Sequence, residues 1–202
     1  MRTFTYTLLR PVTFILRAWF PLKIINRQRI PKTGPVMLYG NHRIWFDVIA
    51  FAHTTRRQIF FISKDSNFKN PLAAWILRAV GAFPVVRHTA DMQAIRRAMK
   101  ILRADGVLGI FPEGTRNRTQ ERLQKFEEGA AMFALLSGAA IVPIYLSEFK
   151  HFHRTKVFVG QPVDMTGFEG KRANKARMEE LTAVMLDSLA ACADECEGTA
   201  SQ

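Results

Sequence analysis

The chain has 202 residues, of which 48% are apolar, and a formal net charge of +12 at pH 7. This length suits one domain with a real core and is short for two, and the apolar content excludes a disordered chain. The charge is uneven, because eight Lys and Arg residues precede Asp47, which is the first acidic residue. Such a one-sign segment indicates an anionic partner, either nucleic acid or a membrane surface.

The first predicted element is the N-terminal stretch "MRTFTYTLLRPVTFILRAWFPLKII", which is rich in Phe, Leu, Ile and Trp. Its polar residues recur at helical spacing and leave a wide apolar face, which is typical of a helix lying in a membrane interface. Arg10 and Arg17 keep every apolar run far below the roughly 18 residues of a transmembrane helix. We therefore predict a membrane-docking segment at residues 1–28 and a folded domain at 29–198. The alternative is a helix that packs on its own domain.

Short apolar runs bounded by turn residues predict the strands, and helical patterns lie between them. Strands are expected at residues 36–40, 58–62, 83–86, 107–112, 140–146 and 156–160, and helices at 71–80, 90–104, 126–137 and 174–193. Several of the strands are apolar without alternation, as are strands that helices cover on both faces. The alternation of strands and helices predicts a single α/β domain.

The block "NHRIWFD" follows the strand at 36–40 and contains Asn41, His42 and Asp47. His42 and Asp47 are five residues apart, and five residues of a regular helix turn through about 500°, so the two side chains would not share one helix face. They can meet if His42 lies on the loop and Asp47 starts the next helix. The carboxylate would then accept a hydrogen bond from one ring nitrogen and make the other nitrogen a better base. Such a pair can deprotonate a hydroxyl, although this short pattern alone is more often structural.

Two further strand ends carry candidate ligand-binding residues. "GAFPVVR" ends on Arg87, and "GIFPEGTRNR" places four candidates in one turn: Glu113, Gly114, Thr115 and Arg116. Glycine gives the turn backbone freedom, and an arginine offers a planar fork to a phosphate. Because ligands bind at strand ends in open α/β sheets, we expect these residues near the base. A lone arginine is otherwise a solvated loop charge.

The order and spacing of "NHRIWFD", "GAFPVVR", "FPEGTRNR" and "IVPIYL" resemble those of the glycerolipid acyltransferases over about residues 30–160. The resemblance is to the 1-acyl-sn-glycerol-3-phosphate acyltransferase type with the His-x4-Asp motif. It implies a central mixed sheet flanked by helices. It also implies acyl transfer from acyl-CoA or acyl carrier protein to the free hydroxyl of 1-acyl-glycerol-3-phosphate, which gives phosphatidic acid in phospholipid synthesis. No cofactor and no metal is expected, because a thioester is already activated.

The resemblance also implies residue roles around the reaction. His42 looks like the general base, and Asp47 looks like the residue that orients it. Lys64 falls where relatives often carry a lysine near the reaction centre, and a cation or N–H there would stabilise the oxyanion. Asn41 and Pro143 look like shaping residues, with Pro143 near the acyl channel.

For the acceptor, the resemblance implies that Glu113 and Arg116 bind it, that Gly114 and Thr115 shape their turn, and that Arg87 is a second phosphate ligand. The expected partners are a lysophospholipid, the thioester donor and an anionic membrane surface. The expected location is the cytoplasmic face of a membrane, as a peripheral or monotopic protein.

Three positions depart from the family pattern. Ile44 replaces a small polar residue, the acidic "FEEG" at 126–129 replaces a lysine-containing version, and "DSN" follows Lys64. These departures leave the identity of the acceptor open, and the alternative acceptor is another lysolipid, such as a lyso-ornithine lipid. A more remote alternative is a non-catalytic basic nucleic-acid-binding protein. The basic clusters carry no nucleic-acid motif and no interleaved aromatics, so nucleic acid is not an expected partner.

Overall fold

A computed structural model describes residues 21–86, 91–149, 154–168 and 173–198. The strands in these ranges are β1 (Leu22–Ile25), β2 (Val36–Gly40), β3 (Ile59–Lys64), β4 (Phe83–Val85), β5 (Val107–Ile110), β6 (Ala140–Leu146) and β7 (Thr155–Val159). The helices are α1 (Asp47–Ala52), α2 (Pro71–Ala79), α3 (Met92–Arg103), α4 (Gly129–Ser137) and α5 (Lys175–Gly198). Every strand and helix predicted between residues 36 and 193 is present, with ends shifted by a few residues.

The seven strands form one mixed sheet in the order β1-β7-β6-β2-β5-β3-β4. The five strands from β6 to β4 are parallel to one another, β7 is antiparallel to β6, and β1 is parallel to β7. The mixed α/β domain implied by the resemblance is therefore confirmed. The central strand, β2, is buried along its whole length, as its uninterrupted apolar sequence predicts.

Helices cover the sheet on both faces. Successive strand residues point to opposite faces, so Leu38 packs in the cluster that contains Phe51 of α1, whereas Tyr39 packs in the cluster of α3, α4 and α5. Tyr39 also donates a hydrogen bond of 2.9 Å to the carbonyl of Met185 in α5. Neighbouring β2 and β5 are thus followed by helices on opposite faces, α1 and α4. Such a switch point opens a crevice at the carboxyl ends of the two strands.

The strand β1 lies inside the segment predicted to dock on a membrane. Leu22 is 6% exposed, and the strand pairs with β7 in the register Leu22 to Thr155. The folded domain therefore begins before residue 29, which corrects the boundary. A short apolar run has the same composition in an edge strand and in an interfacial helix, so the sequence alone did not separate them. Residues 1–20 lie outside the described residues.

No helix within the described ranges is both long enough and apolar enough to cross a membrane.

Candidate active site

His42 lies on the loop after β2, and Asp47 is the first residue of α1. The distance between His42 Nδ1 and Asp47 Oδ2 is 2.9 Å, so the predicted contact is present. The same carboxylate oxygen accepts the backbone amides of Arg43, at 2.6 Å, and Ile44, at 2.8 Å. These bonds fix Asp47 on the first turn, where a negative charge also suits the helix N-terminus.

The ring of His42 has one defined orientation. As an acceptor, Asp47 Oδ2 requires the proton on Nδ1, which leaves the lone pair on Nε2. Phe111, just after β5, stacks on the imidazole at 4.2 Å between ring centroids with an interplanar angle of 18°. The side chain of His42 is 16% exposed, so the ring is held on two sides and still reaches the surface. Phe111 was not predicted as a site residue, and its only signal in the sequence is its place directly before the "PEGTR" turn.

Glu113 is a buried carboxyl beside the histidine loop. It is 5% exposed, and neither carboxylate oxygen has a hydrogen-bond partner among the described residues. Burial raises its pKa to about 7, while the backbone amide of His42 and the charge of Arg43 act in the opposite direction. The His42 amide faces the carboxyl without the geometry of a hydrogen bond. Glu113 can therefore be either a donor or an acceptor near neutral pH.

The rest of the predicted turn is open to solvent. Gly114 has a φ of +68°, in the left-handed region that glycine adopts without strain, and its amide donates to the carbonyl of Phe111 at 3.0 Å. Thr115 and Arg116 are exposed. Arg116 forms no hydrogen bond or ion pair within the described part of the chain. Its guanidinium is thus available for an anionic ligand.

Asn117 connects the turn to the histidine loop and was not predicted as a site residue. Its backbone amide donates to the carbonyl of His42 at 2.6 Å. Its buried side chain donates to the carbonyl of Glu121 at 2.9 Å and accepts from both the amide and the hydroxyl of Thr119. The signal in the sequence is Asn-x-Thr at 117–119, because asparagine side chains bond to the backbone two residues on in turns.

Asn41 holds the end of β2 against the end of β6. Asn41 is 1% exposed, and its side-chain amide donates to the carbonyl of Leu146 at 2.9 Å and accepts from the backbone amide of Leu146 at 2.8 Å. Pro143 lies further back in β6, where its carbonyl accepts from Gly160 at 2.9 Å. A Cβ atom at Gly160 would lie 2.7 Å from Pro143 Cγ and 3.0 Å from Cys192 Sγ. Pro143 therefore packs towards α5, the helix that contains Cys192.

Lys64 and Arg87 are the two remaining candidate site residues, and the structure describes only the first of them. Lys64 is exposed at the end of β3, on the same sheet edge as His42, and no hydrogen bond joins it to that histidine. Arg87 lies outside the described residues. Within the described ranges, no group of three or more His, Cys, Asp or Glu side chains could hold a metal ion.

Comparison with known proteins gives one family. The family model described as "Acyltransferase" matches residues 21–147. The chain is 32% identical over 135 residues to the 1-acyl-sn-glycerol-3-phosphate acyltransferase of Borreliella burgdorferi, over 65% of this chain and 54% of that protein. It is 26% identical over 168 residues to the protein of the same name from Bacillus subtilis, over 80% of this chain and 82% of that protein. The chain therefore spans about half the length of the first relative.

The fold is also that of a solved acyltransferase. The crystal structure of the 1-acyl-sn-glycerophosphate (LPA) acyltransferase from Thermotoga maritima matches with a TM-score of 0.69 and 21% identity, over 94% of this chain and 78% of that chain.

Proposed function

Because the chain belongs to the acyltransferase family, we propose that it transfers a fatty acyl group from a thioester to the free hydroxyl of 1-acyl-glycerol-3-phosphate, giving phosphatidic acid. The observation that carries the proposal is the 2.9 Å contact between His42 Nδ1 and Asp47 Oδ2 at the sheet's crevice. It leaves Nε2 as a base near the surface. The names of the two sequence relatives support the choice of acceptor.

In the proposed reaction, His42 Nε2 takes the proton of the acceptor hydroxyl as the oxygen attacks the thioester carbonyl carbon. The tetrahedral anion then collapses, the carbon–sulfur bond breaks, and the sulfur takes the proton from Nε2. Asp47 keeps Nδ1 protonated and stabilises the transient imidazolium. Lys64 or a backbone amide at this edge would stabilise the oxyanion.

The acceptor would bind at the turn after β5. Arg116 is exposed and has the fork geometry that suits a phosphate, and Arg87 would supply a second contact. Glu113 would hydrogen-bond the glycerol part of the acceptor once the turn opens, because both of its buried carboxylate oxygens, beside the histidine loop, lack a partner in the part of the chain that the structure describes. Gly114 and Thr115 would shape this turn.

One observation favours a second acceptor, a lyso-ornithine lipid. Glu127 lies against the acceptor turn, since a Cβ atom at Gly114 would be 3.3 Å from Glu127 Cγ. The side chain is exposed, and a carboxylate there would repel a phosphate and attract an ammonium group. A phosphate-free, amine-bearing headgroup is therefore the alternative to 1-acyl-glycerol-3-phosphate.

An acyl-transfer assay on the purified full chain tests both proposals. Radiolabelled acyl-CoA and acyl carrier protein are each offered with 1-acyl-glycerol-3-phosphate, lyso-ornithine lipid and other lysolipids, and His42→Ala is the inactive control. We expect labelled phosphatidic acid from one or both donors. Labelled ornithine lipid alone would select the second acceptor, and no product from any pair would overturn the proposed function.

A further inference from the structure

The helix α2 exposes an apolar stripe. Leu72 is 68% exposed, Trp75 is 59% exposed and Ile76 is 47% exposed, and their spacing of three and four residues places them side by side. The opposite side of the helix faces the sheet, where Ala74 is buried. A helix on a protein surface normally turns polar residues to solvent. This helix has one charged residue, Arg78, so its outer face is unusually apolar.

The stripe lies close to the candidate active site. Parallel β2 and β3 end at the same edge of the sheet, the first before His42 and the second at Lys64. A short 3-10 turn, Asp65–Phe68, follows, and α2 begins at Pro71. Leu72 and Trp75 are therefore in the part of α2 nearest to the edge that carries His42.

The N-terminal segment joins the domain at this same edge, on the other side of the site. The carbonyl of Pro21 accepts from the amide of Thr155 at 3.0 Å. Because β7 is antiparallel to β6, Thr155 lies where β6 ends, at the edge that carries His42. Strand order separates β1 from β3 by four other strands, so Pro21 and the stripe on α2 lie on opposite sides of the site.

The charges around the stripe suit an anionic lipid surface. Within residues 61–80, Lys64, Lys69 and Arg78 are exposed, and Asp65 is the one acidic residue. Basic side chains beside exposed leucine, isoleucine and tryptophan are the composition of interfacial membrane contacts, in which tryptophan lies at the headgroup level.

We propose that the stripe formed by Leu72, Trp75 and Ile76 is a second membrane-contact element, which enters the headgroup region of an anionic bilayer. Together with the N-terminal segment, it would turn the sheet edge that carries His42 towards the lipids. The proposal explains how a membrane-borne acceptor reaches the base and in this respect rests on the proposed function. Vesicle binding tests it without acyl transfer, so the two can fail separately.

The first test measures partitioning of the full chain onto vesicles of phosphatidylcholine and phosphatidylglycerol. The double variant Leu72→Gln, Ile76→Gln should bind at least about tenfold more weakly, because each side chain loses apolar area that the lipid would bury. The matched control is Leu136→Gln, which changes a 46% exposed leucine of α4, on the other face of the sheet. It should bind as the wild type does, and so should His42→Ala. Unchanged binding of the double variant would overturn the proposal.

The second test uses Trp75 as a depth probe. The sequence has three tryptophans, so Trp19→Phe with Trp45→Phe leaves Trp75 as the single reporter. Brominated lipids should quench its fluorescence on vesicle binding, and an absence of quenching in vesicle-bound protein would contradict the proposal. A second copy of the chain is the other molecule that could cover the stripe, and light scattering without lipid measures whether the protein is a dimer. A dimer that becomes a monomer in the double variant would assign the stripe to a second copy of the chain and would also overturn the proposal.

Discussion

At the scale of single residues, the candidate site depends on how firmly His42 is held. Asp47 bonds to Nδ1, two backbone amides fix Asp47, and Phe111 covers one face of the ring. Only Nε2 is left for chemistry, and a general base needs such a fixed orientation to reach a substrate proton.

We expect His42→Ala to lower the rate of acyl transfer by about 100- to 10,000-fold, which is the usual contribution of a general base. Asp47→Asn should also be severe, because an amide facing Nδ1 can favour the wrong tautomer. Steady-state rates and circular dichroism measure activity and folding in parallel. Near-normal turnover in a folded His42→Ala protein would contradict the role.

Glu113 should make stability depend on pH. Its pKa in the folded chain is raised from 4.5 to about 7, so the folded chain holds a proton that the unfolded chain releases between these values. The contribution of Glu113 to the free energy of unfolding is therefore fully present below about pH 4 and is lost as the pH rises through about 7. Glu113→Gln imitates the neutral acid. Relative to the wild type, it should therefore gain up to about 3 kcal/mol of unfolding free energy above about pH 8, and the gain should vanish below about pH 4.

Urea unfolding of both proteins across this range measures the effect. Parallel stability curves for wild type and Glu113→Gln would show that the carboxyl is not held in an environment that disfavours its charge.

Arg116 should determine the affinity for a phosphorylated acceptor. Arg116→Lys keeps the charge but loses the planar fork, so the KM for 1-acyl-glycerol-3-phosphate should rise several-fold while that for the acyl donor stays constant. Arg118→Lys is the matched control, since Arg118 is an exposed arginine on the same loop. Equal changes for both substrates, or equal effects of the two variants, would argue against phosphate recognition by Arg116.

At the scale of elements, the site is an assembly of strand ends that side chains connect. Asn41 joins β2 to β6, and Asn117 joins the loop after β5 to the loop after β2. Both are buried amides with backbone partners, and a buried backbone group that loses its partner costs more than an ordinary contact.

Asn41→Ala should lower the unfolding free energy by about 1–3 kcal/mol, because it leaves the buried amide and carbonyl of Leu146 without partners. The exposed Asn67, which bonds to the hydroxyl of Ser63, provides the comparison. Asn67→Ala should change stability by no more than about 0.5 kcal/mol. Thermal or urea melts of the two variants decide this, and similar losses would mean that the β2–β6 connection contributes little.

At the scale of the whole molecule, the N-terminal segment and the domain meet at Pro21 and β1. A chain that lacks residues 1–20 keeps this strand and should fold with nearly unchanged stability, while its binding to anionic vesicles falls and becomes less sensitive to salt. A chain that lacks residues 1–25 also loses β1 and its buried Leu22, and should be clearly less stable. Co-sedimentation and melting curves separate these effects. Undiminished vesicle binding without residues 1–20 would place membrane docking elsewhere.

The sequence by itself determined the positions of the strands and helices and the contact between His42 and Asp47. Buried strands and amphipathic helices are local patterns, so their positions were predictable to within a few residues. His42 and Asp47 are five residues apart at a strand-to-helix junction, so their contact also depends on local geometry. The apolar run of β1 is the exception, because its assignment needs the partner strand β7, over 130 residues further along the chain.

Only the tertiary structure decided which side chains surround His42 and Asp47. Phe111 and Asn117, like the predicted Glu113, approach His42 because β5 pairs with β2, and the sequence contains no local signal for this strand order. The same packing buries Glu113 and raises its pKa, an effect that depends on the loss of water rather than on residue type. Strand order is set by how the whole chain buries its apolar faces, which is why it could not be derived from any one segment.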